Sequence, residues 1–197
     1  MERIYLFNGK DLDNWVSAKT GGTPEWEVKD GVLCVAPKTG SIYTKETYGD
    51  AHLHVEFMCP DIPGATGQAR SNSGVYVHGC YEVQVLDSYG VDPYTYGDCG
   101  AIYSLHTPIQ NATNPPDTWQ TYDIIVRAAR VDADGNVTEN ARLTLLLNGK
   151  VLHNNIILES HTPGGLYNKV VAEGPLWLQD HHDKVYFRNI WVEKLAQ

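Results

Sequence analysis

Apolar and polar residues alternate with a period of two along much of this chain, and no long stripe of period 3.6 interrupts them. In Ala51-His52-Leu53-His54-Val55-Glu56-Phe57 the apolar residues fall on one face and His52, His54 and Glu56 on the other. Ser73-Gly74-Val75-Tyr76-Val77-His78 repeats the arrangement, with Val75 and Val77 opposite Tyr76 and His78. Tyr81-Glu82-Val83-Gln84-Val85 does so again. A half-buried strand imposes this pattern, because successive side chains leave opposite sides of the pleat. Residues 101–105, 121–128, 142–147, 176–179 and 185–193 are further candidate strands.

Turn chemistry separates these runs. Lys29-Asp30-Gly31, Asp134-Gly135-Asn136 and Asn148-Gly149-Lys150 are hairpin signals, since Asn or Asp followed by Gly tolerates positive φ. Residues 60–67 and 111–117 read as loops, with room for one short helix near 60–64 or 117–119. Many short strands with frequent turns predict an all-β sandwich or barrel, not a βαβ fold. The expectation is two packed antiparallel sheets of roughly a dozen strands. Leu53, Val55, Phe57, Val75, Val77, Val83 and Val85 form its expected core. A chain of 197 residues suits one buried core, and no repeat, low-complexity tract or linker marks a boundary, so residues 1–197 are expected to form a single domain.

Composition narrows the partners. The formal charge of −9 repels phosphate backbones and argues against nucleic acid. The apolar runs fall far short of the roughly 20 residues needed to cross a bilayer, so no membrane insertion is expected. Five Trp and twelve Tyr supply flat faces with one polar atom each, suited to strand packing and to stacking on sugars. Cys34, Cys59, Cys80 and Cys99 form no Cys-x-x-Cys pair, which argues against structural zinc. Cys80 and Cys99 are either paired across neighbouring strands or buried free thiols. The opening residues show no basic head, apolar run and cleavage site. Either the protein stays in the cytoplasm or a signal peptide has been removed.

The polar faces carry the chemistry. If the three alternating strands are neighbours, His54, Glu56, Tyr76, His78, Glu82 and Gln84 line one surface. These are proton-transfer and hydrogen-bonding groups, although an ordinary solvated face is the plainer reading. Glu82 and Gln84, two residues apart, share a face roughly 6–7 Å apart. Asp87 is out of phase: a bulge near Val85 would turn it beside Glu82, and without one it caps a turn at the strand end. Leu176-Trp177-Leu178-Gln179-Asp180-His181 places Trp177, Gln179 and His181 on one face. Trp177 is then either a sugar platform or core, and His181 either a titratable site group or the start of a turn. Arg70 either holds a sugar oxygen or is a solvated loop residue. His52-Leu53-His54 and His181-His182 are pairs that sometimes bind a transition metal, and a structural Ca2+ is common in similar sandwiches, but no ligand set is legible. No cofactor is therefore assigned beyond a possible structural Ca2+ or another divalent metal.

Two resemblances attach to these residues. Glu82-Val83-Gln84-Val85-Leu86-Asp87 resembles the Glu-x-Asp-x-x-Glu strand of laminarinase-type retaining glycosidases, with Gln84 in place of Asp and Asp87 in place of the acid/base Glu. That reaction needs two carboxyl groups about 5–5.5 Å apart. A resemblance to the 3-keto-disaccharide hydrolase family of bacterial glycan enzymes covers nearly the whole chain. It rests on Leu6-Phe7-Asn8-Gly9-Lys10-Asp11-Leu12 with Trp15, on Trp26-x-Val28-x-Asp30-Gly31, on Asn72-Ser73-Gly74-Val75 and on Tyr81 to Asp87. It continues through Gly100-Ala101-Ile102-Tyr103, Trp119-x-x-Tyr122 and the ending from Gly174-Pro175-Leu176 to Phe187-Arg188-Asn189-Ile190.

This second resemblance implies a concanavalin-like jelly roll, one sheet concave, acting on glucosides oxidised at C3, in a periplasmic or extracellular setting. The substrate would be an oligosaccharide or other glycoside. The ketone acidifies the C2 proton, the enolate expels the C1 oxygen, and water adds to the glycal. Glu82 is the expected base or acid and His181 its partner, with Gln84, Asn72 and Tyr103 as donors and Tyr76, Trp177, Gln179 and Arg70 around the sugar. Asp87 joins the catalytic set only in the bulged register. The alternatives are a non-catalytic carbohydrate-binding module and a retaining endoglucanase on the same fold.

Overall fold

The computed structural model describes residues 2–92 and 94–196. The first half of the chain contributes β1 Arg3–Tyr5, β2 Trp15–Ser17, β3 Glu27–Lys29, β4 Val32–Cys34, β5 Ile42–Tyr48, β6 Ala51–Met58, β7 Ser73–Val77 and β8 Tyr81–Val85. The second half contributes β9 Gln120–Arg127, β10 Arg130–Val131, β11 Val137–Glu139, β12 Ala141–Leu147, β13 Lys150–Leu158, β14 Gly174–Leu178 and β15 Tyr186–Lys194. The helical segment among the described residues is one 3-10 turn, Gly67–Ala69, just past the positions where the loop signals allow a helix. No described helix is long and apolar enough to cross a membrane.

Every described strand pairing is antiparallel. The larger sheet runs β13-β12-β9-β6-β15-β4-β3 with β1 beside β15, and the smaller runs β2-β5-β14-β7-β8. β10 and β11 form a separate ribbon. Asp30-Gly31 and Asn148-Gly149 turn the β3–β4 and β12–β13 hairpins with positive φ at both residues, as their sequence signals require. Residues 101–105 do not form a strand; only Ile102 makes isolated bridges, to Val83 and His106.

The expected core residues Leu53, Val55, Phe57, Val75, Val77, Val83 and Val85 are all buried and belong to one cluster shared by both sheets. Tyr122, on β9 of the larger sheet, reaches across it and donates to the Gln84 carbonyl on β8 at 2.6 Å. The two sheets differ in how they meet solvent. β6 and β12 alternate buried and half-buried residues, whereas β7, β8 and β14 are buried at every position. Loops therefore roof the outer face of β14, β7 and β8.

This arrangement corrects the grouping of polar faces. His54 and Glu56 lie on β6 of the larger sheet, away from Tyr76, Glu82 and Gln84 on the smaller one. Asp123 accepts from His54 Nδ1 at 2.8 Å and lies 3.4 Å from His52 Nε2. His78 stands in the β7–β8 turn at φ 53 and is fully buried. Its Nε2 hydrogen-bonds the Gly49 carbonyl at 2.9 Å, and burial pushes its pKa down to about 4. Cys80 and Cys99 are buried free thiols, not a disulfide.

Candidate functional site

A cavity of about 190 Å³ opens through the loop roof above β7 and β8. Tyr76, Glu82 and Gln84 form its floor, because they are the polar-face residues of two adjacent strands in unshifted register. Four connecting segments supply the walls: Gln68 and Asn72, then Tyr103, then Pro163 and Gly164, then Gln179 and His181.

Glu82 is held on an edge strand that the loops complete. Its N–H donates to Thr162 Oγ1 at 2.8 Å, and its carbonyl accepts from Tyr103 N at 3.1 Å. Gln84 N and O pair with Ala101 O and Gly100 N, each at 2.9 Å, so the open edge of β8 is blunted without another strand. Gly74 on β7 makes room for the Glu82 side chain: a β-carbon there would stand 2.5 Å from Glu82 Oε1 and 2.9 Å from Tyr76 Cε2.

Glu82 is 4% exposed. Burial raises its pKa from 4.5 to about 7, against a smaller lowering by the Tyr76 hydrogen bond. Tyr76 Oη lies 2.8 Å from Glu82 Oε2 and 3.0 Å from the Pro163 carbonyl, and it accepts from Gln179 Nε2 at 3.2 Å. The phenol has one proton for two acceptors. When Glu82 is ionised, Tyr76 donates to it; when Glu82 is protonated, Tyr76 is free to donate to Pro163. Both protonation states find partners after one hydroxyl rotation, which suits a group that takes and returns a proton.

The amides have a fixed polarity. Gln68 Nε2 donates to the Gly97 carbonyl at 2.8 Å, so its Oε1 is the end that accepts, from Gln84 Nε2 at 3.0 Å and Asn72 Nδ2 at 3.1 Å. Asn72 Oδ1, Gln84 Oε1 and Gln179 Oε1 are left buried without a protein partner among the described residues. Burying such an oxygen unsatisfied costs about 1–3 kcal/mol, a deficit that hydroxyl donors entering the cavity would remove. Asn72 and Gln84, expected as donors, thus offer acceptors, because Gln68 and Gly97 already occupy their N–H groups.

Other expected site residues lie elsewhere. Asp87 is out of the cavity lining, since β8 carries no bulge against β7. Its carboxylate, 4% exposed, accepts from Arg70 Nη2 at 2.8 Å and Nε at 3.1 Å and from Tyr89 N at 3.1 Å. Arg70 is engaged there and does not line the cavity either. Trp177 also falls outside the lining: it is buried beneath the loops against Tyr76, ring centroids 5.7 Å apart. His181 lines the cavity as an exposed residue, while Asp183 accepts from Asn72 N at 2.9 Å and ties this loop to the site. Gln68, Pro163 and Gly164 were not legible as site residues: the first sits in a loop without periodicity, and Pro163-Gly164-Gly165 signals only a turn. Among the described residues no three His, Cys, Asp or Glu side chains cluster.

A family model described as the 3-keto-alpha-glucoside-1,2-lyase-like domain matches residues 2–193. A crystal structure from Parabacteroides distasonis ATCC 8503, provisionally named a glycosyl hydrolase, is 40% identical; the match covers 98% of this chain and 84% of that one, with a TM-score of 0.89. A second from the same organism, under the same provisional name, is 21% identical with a TM-score of 0.75, covering 98% and 94% of the two chains. The carbohydrate-binding module CBM66 from Bacillus subtilis shares the fold alone, at 13% identity and a TM-score of 0.54 over 93% and 97% of the chains. No curated protein matches. The architecture is a jelly roll, the fold it shares with these structures.

Proposed function

The chain belongs to the 3-keto-alpha-glucoside-1,2-lyase-like family, and on that premise we propose that it cleaves the glycosidic bond of a glucoside bearing a ketone at C3. The observation that carries this reading is Glu82: a carboxyl group buried at the floor of a polar cavity, with a pKa raised to about 7 and a single phenolic partner. Such a group is poised near neutral pH to accept a proton from carbon and to give it back.

Ionised Glu82 takes the C2 proton, and the C2–H electron pair forms the C2=C3 double bond of an enolate. As the ketone re-forms, the C1=C2 double bond forms and the C1–O bond breaks. The departing oxygen takes a proton from His181 or water. Addition of water across C1=C2 then places OH on C1 and returns a proton to C2, giving the 3-keto sugar. Tyr103 and His181 are the donors for the enolate oxygen, because the amides of Asn72 and Gln84 present oxygens. The cavity walls restrict the exposure of Glu82 to bulk water, which keeps the carboxylate basic.

The test is incubation in D2O with 3-keto and unoxidised disaccharides, followed by product analysis. The expected result is cleavage of the oxidised substrate alone, with deuterium at C2 of the released keto sugar. Equal cleavage of both, without label, would replace elimination by glycosidase chemistry. Binding of both without cleavage would make the protein a carbohydrate-binding module, a role the shared CBM66 fold accommodates.

A further inference from the structure

We infer that Gln68 sets the polarity of the site, so that it receives the hydroxyl groups of an uncharged sugar and discriminates against a uronate or a sugar phosphate. This rests on the proposed glycoside-cleaving role and specifies its substrate class.

The orientation of an amide side chain is decided by its neighbours. Gly97 O has only lone pairs to offer, so the Gln68 group facing it must be the NH2 group, at 2.8 Å. Gln68 Oε1 then faces Asn72 and Gln84 and draws an N–H from each. A second pair of contacts reinforces both choices: Asn72 Nδ2 also donates to the Gln68 carbonyl at 3.0 Å, and Gln84 Nε2 to the Gly97 carbonyl at 3.3 Å. Turning either amide over would oppose oxygen to oxygen. Gln179 is oriented separately, by donating Nε2 to Tyr76. The result is three buried amide oxygens without protein partners among the described residues, from three different segments, around one cavity.

Three amide acceptors around one cavity suit a ligand that arrives with O–H donors. A carboxylate or phosphate would set its own oxygens against them. Arg70, two residues from Gln68, is held by Asp87 and does not line the cavity. Among the described residues the cavity lining includes His181 but no Lys or Arg. Although Gln68 is an exposed residue, its amide makes one donated and two accepted hydrogen bonds. It acts through Asn72 and Gln84 and is a positioning residue.

The test uses the full chain carrying Glu82→Gln, which removes both turnover and the carboxylate at the cavity floor. Calorimetric titration compares a methyl 3-keto-α-glucoside with the matching 3-keto-α-glucuronide, with and without Gln68→Leu. The expected result is at least about tenfold tighter binding of the neutral sugar, collapsing towards equal affinities when Gln68→Leu frees the two amides to turn. Circular dichroism and melting curves establish that each variant is folded; if Gln68→Leu does not fold, Gln68→Met takes its place. Equal affinity for both sugars before Gln68 is changed, or an equal loss of both after it, would overturn the inference while leaving the glycoside site standing. Binding of neither sugar would overturn the glycoside reading and the inference with it.

Discussion

Gly74 and Glu82 occupy neighbouring strands, and the absent side chain of the first is where the carboxylate of the second lies: a β-carbon on Gly74 would be 2.5 Å from Glu82 Oε1. Gly74 faces Gln84 directly in the β7–β8 register, so Glu82 reaches it on the diagonal. Gly74→Ala is expected to push the carboxylate and the Tyr76 ring aside while leaving both sheets paired. Turnover should fall by about 100-fold, the effect of misplacing a reacting group by an ångström, with the circular dichroism spectrum unchanged. Full activity in that variant would remove Glu82 from the chemistry.

Glu82→Gln is expected to cost at least 10²–10⁴-fold in kcat, because the amide keeps the shape but exchanges no proton near neutrality. With Glu82 as the base, the rate of the unaltered protein should rise with pH through about 7. Stability runs the other way. The folded-state pKa lies above the ordinary 4.5, so the contribution of Glu82 is fully present below 4.5 and is lost as pH rises through about 7. Glu82→Gln should therefore gain in melting temperature relative to the unaltered protein between pH 4.5 and 8. A difference that does not change with pH would contradict a buried, proton-holding Glu82.

Tyr76→Phe removes the one hydrogen bond that lowers the Glu82 pKa. The rising limb of the pH–rate profile should move to higher pH, with a loss of about tenfold at neutrality that partly recovers in alkali. A uniform loss at every pH would mean that Tyr76 serves substrate binding and not the ionisation of Glu82.

Asp87→Asn separates the two carboxyl groups of the Glu82–Asp87 segment. Asp87 is buried against Arg70 and outside the cavity, so the substitution should lower stability by roughly 1–3 kcal/mol while kcat changes by less than about threefold. Loss of turnover with stability intact would restore Asp87 as a reacting residue. Urea unfolding alongside the keto-sugar assay measures both.

Acid should destabilise the fold through two histidines. Burial lowers the pKa of His78 and His153 to about 4, and each hydrogen-bonds a backbone carbonyl, of Gly49 and Gly100 respectively. Their folded values lie below the ordinary 6.5, so the unfolded chain binds more protons between 6.5 and 4 and stability falls across that window as pH drops. His153→Gln, which preserves a donor, should flatten the fall. An unchanged acid limb would place the effect elsewhere.

Period-two alternation by itself determined that β6, β7 and β8 are strands and which of their residues are core, because a strand with one buried face has no other way to distribute apolar side chains. The same spacing put Tyr76, Glu82 and Gln84 on polar faces and, beyond β14, set Gln179 and His181 in phase. Which polar faces meet is not a property of spacing. Only the tertiary structure decided that β6 lies in the other sheet, that His78 turns inward and that Asp87 closes on Arg70. The roof was equally out of reach, since loops have no periodicity and Gln68, Gly97 and Pro163 come together through sheet topology. That roof removes water from Glu82, and desolvation, not the identity of the residue, moves its pKa to about 7.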